Sequence, residues 1–368
     1  MEVFLNGYWK KNLGDDLFVK TICERYPDSN FYLEADPKDG SVFNGIKNLT
    51  VLYKNNDLLY KLIRRLKFPF KSFSNYYSMS NNIPIYIEIG GSIFIIDNIR
   101  QAKKAYKKRL RIRRIASKYF IIGSNFGPYI DDRQITEYNN FFSSTDGVVF
   151  RDIHSSSLFN SKNIKTAPDA VLSLNTICES SNQNYIIISF VNLKSRNGFS
   201  KEMIDNYEQN IIDICNYYLL KNKTIVLFGF CEYENDNDFI ERVSIQLSPK
   251  YKKNIIKYVH NDINKSLHYI YNSEMIIATR FHAMILGWLY GKPTIVFSYS
   301  DKIVNTIKYC YPNQKYYSIK ECDSFDTQLL DEYNNQIMPD YIKSNLISSS
   351  NEQFYYFDQL IGETDSNF

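Results

Sequence analysis

The chain has 368 residues, too many for one ordinary core and enough for two domains. Hydrophobic residues make up 44% and charged residues 23%, which excludes a disordered or fibrous chain, and the net charge of +4 is modest but unevenly placed. No apolar run reaches the roughly 20 residues needed to cross a bilayer.

The N-terminus, MEVFLNGYWKKN, reads as strand and not as signal peptide. The six cysteines (Cys23, Cys178, Cys215, Cys231, Cys310, Cys322) lack metal-ligand spacing and sit in mostly apolar contexts, the pattern of reduced thiols in a cytosolic protein. Tyr (31) and Phe (25) are numerous, as A+T-rich coding would produce, and carry no binding claim by themselves.

Val3–Gly7 is the first predicted strand. Asn12 then precedes an amphipathic helix with Asp15 and Asp16 in its first turn. Strands follow at Asn30–Ala35, Asn48–Tyr53, Ile83–Ile89, Tyr119–Ile122 and Gly147–Phe150, with helices at Asp57–Leu66, Arg100–Ser117 and Asp132–Phe142. A short helix is expected beyond Arg151-Asp152. ESSNQN, Glu179–Asn184, is the linker candidate. A second alternating unit has strands at Tyr185–Val191, Thr224–Phe230, Ile255–Val259, Met275–Thr279 and Thr294–Ser298, with helices at Lys201–Leu220 and Ile263–Asn272. The tail from Phe325 is helical or irregular and ends in a polar, frayed segment. Such alternation predicts doubly wound parallel sheets, hence an α/β protein with two Rossmann-like domains.

One stretch organises the rest: Glu274–Lys302, strand–turn–helix–turn–strand, with Ala283–Tyr290 as its buried helix and Gly291 and Pro293 as its stop. Arg280 and His282 fall at the strand end, where a parallel sheet binds ligands, beside a helix N-terminus that favours an anion. Other polar residues recur after strands: Asn12, Gly14, Asp15 and Asp16; Glu88, Gly90, Gly91 and Ser92; Gly123, Ser124 and Asn125; Arg151; Gly229; Ser298, Tyr299, Asp301 and Lys302. The strand-end rule predicts that these converge on one cleft between two sheets. Each has a structural alternative. Arg151 would serve as glue to Asp152 or Asp169, Asp15 and Asp16 as helix-start acids, Gly90 and Gly91 as a tight turn, Lys302 as a helix-start lysine. Asp169 is expected as a loop anchor, and His154, His260 and His268 as ordinary surface or helix residues.

The motifs NLGDD (Asn12–Asp16), Gly90-Gly91, GSNFGP (Gly123–Pro128), RDIHS (Arg151–Ser155), APD (Ala167–Asp169) and TRFHA (Thr279–Ala283) followed by GKPTIVFSYSDK occur in one order along the chain. Together they resemble the polysaccharide pyruvyl transferase family. The sequence departs from it in GGS, where many relatives carry a third Gly, and in the Thr of TRFHA, more often Ser. The resemblance implies two Rossmann-like domains with parallel sheets facing across a cleft, a GT-B-like fold. It divides the chain into an acceptor-side domain, 1–178, a donor-side domain, 185–325, and a helical tail, 326–368. It implies transfer of an enolpyruvyl unit from phosphoenolpyruvate to a sugar of a bacterial surface-polysaccharide precursor, lipid-linked or polymeric, forming a pyruvate ketal with no metal or nucleotide cofactor.

On that reading Arg151 and Arg280 clamp the donor's phosphate and carboxylate. His282 completes the phosphate site or protonates the donor methylene, and Asp15 or Asp16, with Glu88 second, is the base on the acceptor side. Asn12, Gly14, Gly90, Gly91, Ser124, Asn125, Ser298, Tyr299 and Lys302 complete the substrate-binding set. The alternative is a glycosyltransferase of the same build using a nucleotide sugar, against which no paired-glutamate spacing suited to a ribose occurs near the second-domain helix.

Arg100–Lys118, RQAKKAYKKRLRIRRIASK, has many bases and no acid, and Lys61–Lys71 adds a second basic, apolar cluster. An anionic membrane surface fits such a face, which places the protein in the cytoplasm, peripheral on the inner face of the membrane. A solvated helix face is the alternative. Nucleic acid is not expected, because the excess charge is local and no nucleic-acid fold signature occurs.

Overall fold

The computed structural model describes residues 1–53, 83–96, 98–176, 178–181, 184–321, 323–333 and 336–365. The expected helix at Asp57–Leu66 and the basic cluster Lys61–Lys71 lie outside these. The chain forms two compact units: Met1–Trp9, Asp15–Asn175 and Ser348–Phe368 in the first, Lys10–Gly14 and Thr176–Ile347 in the second.

In the first unit the strands are β1 (Glu2–Asn6), β2 (Asn30–Ala35), β3 (Leu49–Tyr53), β4 (Ile83–Ile89), β5 (Ala116–Ser124), β6 (Gly147–Phe150) and β7 (Ile164–Thr166). They make one parallel sheet in the order β3-β2-β1-β4-β5-β6-β7. The second unit has β8 (Tyr185–Ser189), β9 (Thr224–Gly229), β10 (Ile255–Val259), β11 (Met275–Ala278), β12 (Thr294–Ser298) and β13 (Tyr316–Ser318), parallel in the order β10-β9-β8-β11-β12-β13. Both are doubly wound Rossmann-like orders. The direction of winding reverses between β1 and β4 in one and between β8 and β11 in the other, and ligands bind at the carboxyl ends of such a reversal.

The helices follow local signals. Lys201–Leu220 starts where Ser200 accepts from Met203 N (3.1 Å) and buries a stripe of Tyr207, Ile211, Ile214, Cys215 and Tyr218. Asp131 and Gln134 form a capping box ahead of Asp132–Ser143. The first unit's core is aromatic: Phe142 meets Phe159, Phe94 and Phe150 edge-on at 4.9, 5.3 and 5.5 Å.

Three expectations differ from the structure. The basic helix runs Ile99–Arg113, not to Ser117, because β5 already begins at Ala116, paired with Ile83. The linker does not start at Glu179, since Asn272 binds Ser181 N (2.7 Å) and Glu179 O (3.1 Å) and ties that stretch to the second unit. Nor do residues 326–368 form a tail of their own. Helix Asp340–Ser350 lies mostly in the second unit, and Tyr355–Asp365 packs on the first. There the fully buried Gln353 accepts from Gly123 N (2.8 Å) and donates to Ala167 O (2.7 Å) and Phe150 O (3.3 Å).

Candidate functional site

In the first unit, the loops after β4, β5 and β6 are assembled around Arg151, which is 3% exposed. Its Nη1 donates to Asp169 Oδ2 at 3.0 Å and its Nη2 to Asn125 Oδ1 at 2.7 Å. Asn125 Oδ1 also accepts from Ser92 Oγ, and Asp169 Oδ1 from Val171 N. The Ser124 hydroxyl and Asn125 N both donate to Gly91 O at 2.9 Å. Gly91 is required by packing: a Cβ there would stand 2.6–2.8 Å from three guanidinium atoms of Arg151. Gly90 is required by backbone, at φ +144°. Asp15 Oδ1 lies 3.6 Å from where a Gly90 Cβ would be, whereas Asp16 is wholly buried.

In the second unit Arg280 spans the winding reversal. It follows β11, and its Nε donates to Phe190 O beyond β8 at 3.0 Å. Its Nη1 is paired with Glu234 and its Nη2 with Asp236. Arg196 is paired with the same Glu234 oxygen and lies over the Tyr299 ring at 4.9 Å. Lys302 Nζ is 5.5 Å from the Tyr299 ring and 5.9 Å from Phe281. Three cations thus crowd Tyr299. Burial would raise its phenol, but Lys302, Arg196 and Arg280 hold it below the ordinary range. Burial likewise opposes ionisation of Glu234, and Arg280 and Arg196 outweigh it, setting that carboxyl at about 2.

His282 stands in the first turn of helix Phe281–Leu289, edge-on to Phe281 at 5.0 Å. The segment Lys10–Gly14 docks beside it in the second unit: Leu13 N donates to Phe230 O (3.0 Å), Asn12 bridges Cys231, and Asn12 Oδ1 accepts from Gly14 N (3.2 Å). A Cβ on Gly14 would fall 1.9 Å from His282 Nδ1, so the imidazole lies directly on that glycine.

The structure therefore assembles Gly90, Gly91, Ser124, Asn125 and Arg151 in one unit, and Asn12, Gly14, Arg280, His282, Tyr299 and Lys302 in the other. Glu88 does not join them as a base. Its buried carboxylate takes Arg109 Nε (3.0 Å to each oxygen), Arg109 Nη2 (2.8 Å) and the Tyr119 hydroxyl. Arg151 shows the structural pairing to Asp169, and Ser298 donates to Ser300 O within a turn. His260 is buried, not a surface residue, with Nδ1 2.7 Å from Ser266 Oγ. Sequence reading missed Arg196, Glu234 and Asp236. The strand-end rule applied to the residues just beyond β9 points to the last two.

The sequence model of the polysaccharide pyruvyl transferase family matches residues 12–301. The chain belongs to that family. It is accordingly an enzyme of the polysaccharide pyruvyltransferase class. Among curated proteins none matches it in sequence. Solved structures share its fold at low identity. The UDP-GlcNAc 2-epimerase of Methanocaldococcus jannaschii, solved with UDP-GlcNAc and UDP, aligns over 91% of this chain and 93% of its own, with TM-score 0.55 and 10% identity. MnaA of S. aureus with UDP aligns over 98% and 94%, at 0.54 and 11%. Alr3699/HepE of Anabaena with UDP-glucose aligns over 100% and 99%, at 0.53 and 12%. These likenesses establish a two-unit Rossmann-like fold of the GT-B kind for a member of the pyruvyltransferase family.

Proposed function

We propose that the enzyme transfers an enolpyruvyl unit from phosphoenolpyruvate to a sugar of a bacterial surface-polysaccharide precursor, closing a pyruvate ketal across two hydroxyls and releasing phosphate. Family membership supports the reaction class. The observation that carries the donor assignment is the cluster of Arg196, Arg280 and Lys302 at the strand ends of the second unit, beside a helix N-terminus. A small, doubly anionic molecule suits that charge density.

The chemistry balances without a redox or nucleotide cofactor. One hydroxyl proton of the sugar ends on the donor methylene, which becomes methyl; the second leaves with phosphate; two C–O bonds form as the C–O bond to phosphate and the C=C bond are lost. His282 is the proposed acid at the methylene, because the Gly14 contact fixes its ring. Asp15 is the proposed base for the sugar hydroxyl, in preference to the wholly buried Asp16. Arg151 organises loops through Asp169 and Asn125, whereas Arg280 and Arg196 converge on one carboxylate oxygen, so the proposed two-arginine clamp is revised to Arg280 with Arg196.

Incubation with phosphoenolpyruvate and a panel of glycan acceptors is expected to release phosphate and add a pyruvyl mass. A protein that is stabilised against heat by nucleotide sugars and not by phosphoenolpyruvate would point to the glycosyltransferase reading instead.

We place the acceptor on a lipid carrier at an anionic membrane. Helix Ile99–Arg113 exposes Arg100, Lys103, Lys104, Lys107, Lys108 and Arg111, carries no carboxylate, and begins beside Ile95 and Ile99, each 48% exposed. No described helix is long and apolar enough to cross a membrane. Co-sedimentation with anionic vesicles, lost on reversing Lys103, Lys104, Lys107 and Lys108 to Glu, tests this; equal binding to neutral vesicles refutes it.

A further inference from the structure

The two carboxylates on Arg280 are not equivalent. Asp236 is anchored, fully buried, with Oδ2 accepting from Phe230 N (2.8 Å) and Cys231 N (2.9 Å) while Oδ1 takes the arginine. Glu234 meets Arg280 Nη1 and Arg196 Nη2 through a single oxygen, Oε2, and keeps 27% of its side chain exposed. It ends a three-residue 3-10 turn, Glu232–Glu234, after which Asn235 takes a left-handed conformation, φ 59°. A carboxylate oxygen held between the guanidinium groups of two residues is the charge-assisted pairing expected for a carboxylate ligand.

We infer that the Arg196–Arg280 pair is the subsite for the carboxylate of a small phosphorylated carboxylic acid, and that the Glu234 carboxylate is a tethered stand-in which that ligand displaces. This rests on the donor reading above and adds to it a residue, Arg196, and an exchange. The exchange is like for like, so the arginines keep a partner throughout and Asp236 keeps Arg280 in register. Charge supports it. Arg196, Arg280 and Lys302 face Glu234 and Asp236, a surplus of one positive charge; with Glu234 withdrawn the surplus is two, nearer to that of a carboxylate and phosphate together. The tether sets specificity as well. A bare phosphate can sit beside Lys302 with Glu234 in place, whereas a ligand bearing both groups has to evict it.

The test is calorimetric titration of phosphoenolpyruvate and of inorganic phosphate into wild type, Glu234→Gln and Arg196→Gln. Glu234→Gln should bind phosphoenolpyruvate about tenfold more tightly, as expected when a charge-assisted competitor is removed, with a clearly smaller gain for phosphate. Arg196→Gln should weaken phosphoenolpyruvate about tenfold and leave phosphate within a factor of about two. Equal tightening of both ligands by Glu234→Gln would mean a general field effect and would overturn the displacement. No tightening at all would overturn it too, with the donor assignment intact if wild type binds phosphoenolpyruvate. Binding of neither ligand by any variant would remove the donor assignment and this subsite together. Should Glu234→Gln fail to fold, the Arg196 position, 30% exposed, decides the matter alone: an unchanged phosphoenolpyruvate affinity in Arg196→Gln overturns the subsite.

Discussion

Adding one methyl group at Gly14 should disable the enzyme while leaving it folded. The Cβ of Gly14→Ala falls 1.9 Å from His282 Nδ1, 2.5 Å from Cε1 and 2.6 Å from Cγ. Non-bonded heavy atoms need about 3.5 Å, so the imidazole must retreat by roughly 1.5 Å. Misplacement of about 1 Å at a reacting group costs on the order of 100-fold, or about 2.7 kcal/mol of transition-state stabilisation. Overpacking costs about 1–3 kcal/mol of fold stability, and because residue 14 lies in the first turn of helix Leu13–Arg25, alanine's better helix propensity offsets only part of that. The assay is kcat/KM for phosphate release from phosphoenolpyruvate with acceptor, alongside thermal melting. Combining Gly14→Ala with His282→Gln should cost no more than the larger single loss, since both act through one ring. Retention of activity within threefold in Gly14→Ala, or a double-variant loss equal to the product of the singles, would refute the assignment.

Other expectations concern interior charges. Asp169→Asn leaves the buried Arg151 without its ion pair and should destabilise the protein by about 3–5 kcal/mol in urea melts. Glu88→Gln should behave alike through Arg109, yet the folded fraction should keep its turnover within a few-fold, because the Glu88 carboxylate is already taken by Arg109 and Tyr119. Burial holds the His260 imidazole down at about 3. Between that value and the ordinary 6.5 the unfolded chain binds a proton that the folded one refuses, so stability falls as pH falls through this window, by up to about 1.4 kcal/mol per pH unit. Denaturation between pH 4 and 6 should show a shallower slope in His260→Gln than in wild type.

Much of the fold was readable from sequence where signals were strong and local. Ile83–Ile89 and Lys201–Leu220 match their observed spans, one an apolar run broken by Glu88 and ended by Gly-Gly, the other a capped stripe with helical spacing. Boundaries failed where a contact distant in sequence decides them: helix Ile99–Arg113 gives way to β5 because Ala116 pairs with Ile83 on β4. At three residues, β13 is too short to show alternation. In the candidate site the charged strand-end residues were visible as types but not as pairs. Glu88 looks like a free acid until Arg109, 21 positions later, is seen to fold back on it. Arg196 and Glu234 lie 38 positions apart in polar stretches that read as loop, and their bond exists only in three dimensions.

The division of the polypeptide itself has a consequence for how the molecule is made. The first unit takes in residues 348–368, where Gln353 fastens the ends of β5 and β6, and the second borrows Lys10–Gly14 from the opposite end. A nascent chain released at Asn175 would hold all seven described strands of the first sheet but not the side chain that stitches two of them together. The first sheet must therefore wait for Gln353 before it is finished, and a cut between Asn175 and Thr176 is expected to yield two pieces that are both incomplete.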